Sequence, residues 1–238
     1  MKAGSVELTP EKAAVIGNIA IISDLHLGME SVLQERGFAL PRVQIRDVLK
    51  GVEGIVEKYG IERLVIAGDF KHEFSRNMPY EWEDVEEFLS KFSELEILAV
   101  RGNHDNFLAA ILAKRGIELV ESVEIEGYTV IHGHKELESI KDSIKAGRII
   151  MGHEHPVVRI RYEGGIYTFP CYLRYRGDAE IIVLPAFSPI VSGSDVLSID
   201  SFLSPLLPDV ESVEVYAIED DVFYLGRVKD LRRVASEI

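Results

Sequence analysis

The chain has 238 residues, with 26 Lys and Arg against 40 Asp and Glu, a net charge of −14 and 47% apolar residues. That composition belongs to a folded globular protein and excludes a disordered or collagenous chain, while the acidic balance excludes a surface that grips nucleic acid by charge alone. A single cysteine, Cys171, excludes an internal disulfide or thiolate zinc knuckle and points to a reducing, cytoplasmic compartment, and no apolar run approaches the ~20 residues that span a bilayer, so no membrane segment is expected.

In chain order, Asn18 to Ser23 is a buried-strand run. Val43 to Tyr59 places apolar residues near a 3.6 period and predicts an amphipathic helix. Arg63 to Ala67 is a second strand; Trp82, Val85, Phe88 and Leu89, set among acids, predict another helix; Glu96 to Val100 is a third strand and Asn106 to Lys114 a short helix. The alternation implies a mainly parallel sheet. After about Glu118 closely spaced strands follow: Val123 to Ile125, Thr129 to Ile131, Arg148 to Met151, Val157 to Tyr162, Ile181 to Leu184, Val213 to Ile218 and Val222 to Leu225. They predict a second, largely antiparallel sheet. Packing the two face to face with helices outside gives an α/β (α+β) fold, a four-layer α-β-β-α sandwich of two mixed sheets. The chain reads as one domain over 1–238, with its motifs in 18–193 and strands in 211–226 completing the second sheet. Ser188 to Asp209 is a Ser/Pro-rich loop with apolar patches, expected to dock rather than to link.

All seven histidines fall between His26 and His155, and most follow an apolar strand directly. The strand exits read Asp24-Leu25-His26, Gly68-Asp69, Gly102-Asn103-His104-Asp105, His132-Gly133-His134 and Gly152-His153-Glu154-His155. In open α/β sheets the carboxyl ends of the strands border the ligand crevice, so these exits converge on one rim. Carboxylate, imidazole and amide oxygen are together the ligands of hard to borderline divalent metals. Asp24, His26, Asp69, Asn103, His132, His153 and His155 exceed the needs of one ion and divide over two if one carboxylate bridges them. Any one of these fragments is ordinarily a turn or a surface pair; their joint occurrence at five strand ends is not ordinary.

The string Asp-x-His, Gly-Asp, Gly-Asn-His-Asp, His, Gly-His-x-His resembles that of the calcineurin-like metallophosphoesterase superfamily. The resemblance implies the metallophosphoesterase fold, with Asp24, His26, Asp69 and His155 on one metal, Asp69, Asn103, His132 and His153 on the other, and Asp69 as the bridge. It also implies that His104 stabilises the transition state or protonates the leaving group, oriented by Asp105. The segments Leu27-Gly28, Arg36-Gly37, Leu40-Pro41, Phe70-Lys71-His72, Phe169-Pro170-Cys171 and Leu184-Pro185-Ala186-Phe187 resemble a branch associated with DNA repair, found near ligase or helicase genes, and its archaeal relatives. The expected cofactors are two divalent ions, Mn²⁺ first, with Fe, Ni or Zn as alternatives. The expected activity is phosphoester hydrolysis, a phosphodiesterase acting on DNA or nucleotides; the alternatives are an interaction subunit of a repair complex, or a small-molecule phosphomonoesterase or cyclic nucleotide phosphodiesterase. His72 and His134 are further imidazoles near the rim, either phosphate contacts, ligand supports or plain structural histidines. Arg159, Arg161, Arg174 and Arg176, interleaved with Tyr162, Tyr167, Tyr172 and Tyr175, suit a guide for a single strand or an ordinary exposed hairpin.

Overall fold

The structure, a computed structural model, describes residues 2–3, 6–76, 78–136 and 147–236. The first sheet begins with a meander, β1 (Lys2–Ala3), β2 (Val6–Leu8), β3 (Ala14–Ile16) and β4 (Ile19–Ile22), each antiparallel to the next. From β4 the sheet continues in parallel through β5 (Arg63–Ala67), β6 (Glu96–Val100) and β7 (Leu119–Val120). The sheet is therefore mixed, where the β-α alternation alone implied mainly parallel strands. The strands β1 to β3 are two or three residues long, too short to show an alternation.

The helices α1 (Met29–Glu35), α2 (Gln44–Tyr59), α3 (Pro79–Lys91) and α4 (Leu108–Leu112) lie between these strands in sequence. The start of α2 is capped from a distance: the Glu30 carboxylate accepts from the backbone N–H of Val43 and Gln44, all at 3.0 Å, satisfying donors that a helix start leaves open. Its buried stripe, Val48, Val52 and Ile55, meets Val85, Phe88 and Leu89 of α3 and the outward residues Ala20, Ile22, Leu64 and Ile66 of the sheet. Alternate strand residues point to opposite faces, so Ile19, Ile21, Val65 and Ala67 turn the other way, into the core between the sheets.

The second sheet contains β8 (Val123–Ile125), β9 (Tyr128–Ile131), β10 (Arg148–Met151), β11 (Pro156–Tyr162), β12 (Gly165–Arg176), β13 (Glu180–Val183), β14 (Ser194–Asp195), β15 (Glu214–Ile218) and β16 (Val222–Arg227). The strands β9, β10 and β13 pair in parallel at its centre, and β14 pairs in parallel with β11; the remaining pairs are antiparallel. Val130, Ile150, Tyr172 and Ile182 face the first sheet, and the Tyr172 hydroxyl donates to the Thr9 and Ala13 carbonyls at 2.7 and 3.0 Å, tying the sheets together. The opposite face, with Ile131, Ile149, Met151 and Val183, is covered by α5 (Val228–Ser236) through Val228 and Leu231, and by Val196, Leu207 and Val210 of the loop before β15. The Ser/Pro-rich segment thus docks as expected and shares the fourth layer with the helix. No helix among the described residues is long and apolar enough to cross a membrane.

Candidate metal centre

The parallel strands β4, β5 and β6 end together, as do β9 and β10, and the core between the sheets joins the two groups. Asp24 and His26 follow β4, Asp69 follows β5, Asn103 to Asp105 follow β6, His132 and His134 follow β9, and His153 to His155 follow β10. Five of these side chains stand on left-handed backbone: Asp24 (φ 58°), His26 (φ 45°), Asp69 (φ 51°), His153 (φ 74°) and His155 (φ 45°). Such a conformation costs about 1–3 kcal/mol for a residue with a Cβ and persists only where the surroundings over-determine it. Its concentration here marks the rim as the strained part of the molecule. Close approach adds a second constraint. A Cβ on Gly102 would overlap Asp69, and one on Gly152 would overlap Ser23 and Asp24, so glycine lets the turn after β6 meet that after β5, and the turn after β10 meet that after β4.

Asp69 lies at the centre. Its Oδ2 faces Nε2 of His132 at 3.4 Å, of His26 at 3.6 Å and of His104 at 4.0 Å, and Oδ1 accepts from the His104 backbone N–H at 2.8 Å. Asp24 Oδ1 faces His155 Nε2 at 3.0 Å, and the His155 and His26 Nε2 atoms are 3.2 Å apart. One ligand atom each from Asp24, His26, Asp69 and His155 therefore fits within 4.8 Å of the others. On the second side, His132 Nε2 lies 3.1 Å from Asn103 Oδ1 and its ring centroid 5.0 Å from that of His153. His132 Nδ1 donates to the Ala67 carbonyl at 3.0 Å, which fixes the tautomer and leaves Nε2 to offer its lone pair.

These residues fit divalent cations. Asp24 and Asp69 are buried, yet among the described residues their only ion-pair partners are histidines, and most of the separations exceed a hydrogen bond. Among the described residues, oxygen and nitrogen donors converge with no Lys or Arg paired to either carboxylate. The electrostatics agree. Burial holds His26 down to about 3 and His153 to about 4, so both rings are neutral donors at neutral pH. At His132 burial also opposes the charge, but Asp69 and Asp24 outweigh it and raise the ring to about 9. Burial works against both carboxylates too, and His155 for Asp24 and His132 for Asp69 hold them below the usual range.

His104 is the most exposed ring around Asp69. Its Nδ1 donates to the His72 carbonyl, so Nε2 is the atom presented to the site. Asp105 does not orient this ring. Its buried carboxylate instead accepts backbone N–H groups from Gly102, Asp69, Phe70 and Lys71 at 2.8–3.4 Å, clamping the turns after β5 and β6 together, because the carboxylate points inward beneath them. Burial and Asp69 push it up to about 6. His72 stacks on His104 at 5.3 Å and sets its Nδ1 3.3 Å from that of His26. His134 lies 5.3 Å from His132 and 6.2 Å from His153, with a buried Nδ1 that has no hydrogen-bond partner among the described residues.

The arginine cluster divides. Arg174 is paired with Glu180, Arg176 lies near Glu214, and Tyr172 is buried between the sheets. Arg159 and Arg161 stand exposed on the β11–β12 hairpin, which leaves the rim immediately after His155. Sequence patterns missed two supports. Gln44, buried at the start of α2, donates through Nε2 to the Leu25 and His26 carbonyls at 3.0 and 2.9 Å. Glu81 of α3 accepts from the His72 backbone N–H at 3.1 Å and lies 3.8 Å from the buried Lys71 ammonium. Only their polarity on otherwise apolar helix faces could have signalled them.

The family model for calcineurin-like phosphoesterases matches residues 17–183, a span that holds every residue of this rim. No curated protein matches the chain. Among solved structures it is similar to nuclease MPE from Pseudomonas putida, with a TM-score of 0.66 and 21% identity over 92% of this chain and 94% of that one. It is also similar to YfcE, a phosphoesterase from E. coli, with a TM-score of 0.43 and 18% identity over 74% and 83%. A Vps29 single mutant from Entamoeba histolytica gives a TM-score of 0.34 and 15% identity over 87% and 96%. The likeness to nuclease MPE is one of fold.

Proposed function

The chain belongs to the calcineurin-like phosphoesterase family and is a metal-dependent phosphoester hydrolase, and from that premise we propose that it is a two-cation phosphodiesterase acting on nucleic acid or nucleotides in the cytoplasm, with Mn²⁺ as the working ion. The observation that carries the reading is the surround of Asp69, one buried carboxylate oxygen facing imidazoles from three different strand ends. In this assignment Asp24, His26, Asp69 and His155 hold one ion, and Asp69, Asn103, His132 and His153 the other. Bound there, divalent cations polarise phosphoryl oxygens and make water a nucleophile at neutral pH. His26 and His153 arrive as neutral donors, and the Ala67 carbonyl aims His132. With its Nδ1–H pinned by the His72 carbonyl, His104 as the imidazolium gives the Nε2 proton to the departing oxygen and is left neutral; general acid help of this kind contributes about 10² to 10⁴ in rate. Asp105 acts through the backbone that carries Asp69.

A nucleic-acid substrate is supported by the exposed hairpin arm. Arg159 and Arg161 share one face, while Ile160 pairs with Tyr167 on the other, giving charge for phosphates and an aromatic ring for bases. The test is a substrate panel on Mn²⁺-loaded protein: bis-p-nitrophenyl phosphate against p-nitrophenyl phosphate, then single-stranded DNA against 2′,3′-cyclic nucleotides. The diester and the DNA are expected to be cleaved faster. Preference for the monoester or the cyclic nucleotide would turn the reading toward a small-molecule enzyme, and no hydrolysis with both ions bound would turn it toward an interaction subunit.

A further inference from the structure

The segment after β13 lies beyond the 17–183 span of the family model, yet its residues 194–204 return to the metal rim at three points. First, the Ser194 backbone N–H donates to the His155 carbonyl at 2.9 Å. Second, Glu154, which stands between His153 and His155 and is only 2% exposed, turns its carboxylate away from the rim. It accepts the backbone N–H groups of Leu203 at 3.1 Å and Ser204 at 2.5 Å. Third, the buried Ser204 hydroxyl donates to the Gly133 carbonyl at 2.6 Å, the residue between His132 and His134. One short stretch of backbone therefore holds both histidine-bearing turns of the second sheet.

The segment is itself anchored. Arg232 of α5 donates to the Leu197 carbonyl at 3.1 Å and to the Ile199 carbonyl. Val196 and Leu207, on either side of the contact, are buried in the outer core. These ties act where the backbone most needs support, since His153 and His155 flank Glu154 with φ of 74° and 45°. A strained turn keeps its geometry only while its surroundings hold it, and a buried carboxylate that collects two N–H groups is such a hold.

We propose that residues 194–206 form a clasp that sets His132 and His153 in register with each other, with Glu154 and Ser204 as positioning residues for the second cation. The inference rests on the two-cation reading above. Supports of this kind typically change metal affinity 10- to 100-fold when removed. Because the Ser204 hydroxyl reaches the His132 turn and the Ser204 backbone joins it to the Glu154 turn that carries His153, the effect falls first on the ion assigned to Asp69, Asn103, His132 and His153. The ion assigned to Asp24, His26, Asp69 and His155 takes three of its four ligands from the first sheet, against two for the other.

The experiment is equilibrium dialysis of the full metal-free chain against MnCl₂, with bound manganese measured by elemental analysis, for wild type, Ser204→Ala, Ser204→Thr and Glu154→Gln. Thermal unfolding of each metal-free protein is recorded beside it. Wild type is expected to bind two ions. Ser204→Ala and Glu154→Gln are expected to keep one ion at wild-type affinity and to bind the other 10- to 100-fold more weakly, and Ser204→Thr, which retains the hydroxyl, to restore it. Ser204→Ala removes one oxygen and serves as the test if Glu154→Gln does not fold. Two ions at wild-type affinity in folded Ser204→Ala, or equal weakening of both ions, would overturn the clasp. Fewer than two ions on wild type would instead overturn the two-cation reading itself.

Discussion

Asp69 and His104 separate binding from turnover at the scale of single residues. Asp69 Oδ2 faces three imidazoles, so Asp69→Asn is expected to lower bound manganese below two per chain and to abolish hydrolysis. His104→Ala is expected to keep both ions and lose about 10² to 10⁴ in kcat; undiminished turnover in either variant contradicts its role. Protonation gives an independent readout. In the metal-free protein burial opposes the His132 charge, but Asp69 and Asp24 raise the ring to about 9, so this pairing adds stability that is complete below about 6.5, the free-imidazole value, and is lost as pH rises through 9. A cation needs the neutral ring, so binding at pH 7 to 8 should release a proton, and apparent affinity should climb with pH to about 9. Calorimetric titration with Mn²⁺ in two buffers of different ionisation enthalpy measures the release; identical heats would contradict it. The rim residues were legible because a polar triplet after an apolar run is visible in one dimension. Gln44 and Ser204 were not, since each supports a turn far away in the chain, and Glu81 was not, since it reads as one more acid of an acidic helix.

Among the elements, the strands that carry the rim were readable from their Ile and Val runs, and α2 from the spacing of Val48, Val52 and Ile55. The meander β1 to β3 was not, being too short for a pattern. The strand β12 also escaped, because its first half, Gly165 to Pro170, belongs to an exposed arm and its second half to the core, so no single alternation runs along it. The C-terminal helix α5 buries only Val228 fully, and a mostly polar surface gave little signal. In the arginine-tyrosine cluster, pairing across β12, β13 and β15 brings Arg174 and Arg176 to Glu180 and Glu214, partners that linear spacing does not reveal. What remains is the arm. The Arg159→Glu/Arg161→Glu variant is expected to weaken binding of single-stranded DNA and to flatten its dependence on log salt by about 1.4, the value for two phosphate contacts. An unchanged slope would remove the arm from the substrate path.

For the molecule as a whole, a chain of net charge −14 buries two carboxylates at one rim and meets them with histidines. That arrangement makes sense as half of a site whose missing charge is supplied by cations. Both sheets contribute: the first supplies Asp24, His26, Asp69 and Asn103, the second His132, His153 and His155, and the core of Ile21, Val65, Val130, Ile150 and Tyr172 sets the distance between them. The fold brings two strand-end groups together, and in the proposed assignment neither sheet carries a complete ligand set. The most direct test is anomalous scattering from a crystal of the full chain soaked in Mn²⁺. Two peaks about 3.5 to 4 Å apart, both in contact with the Asp69 carboxylate and divided between the two groups of histidines, are the expected result; a single peak, or peaks that do not touch Asp69, would contradict the account.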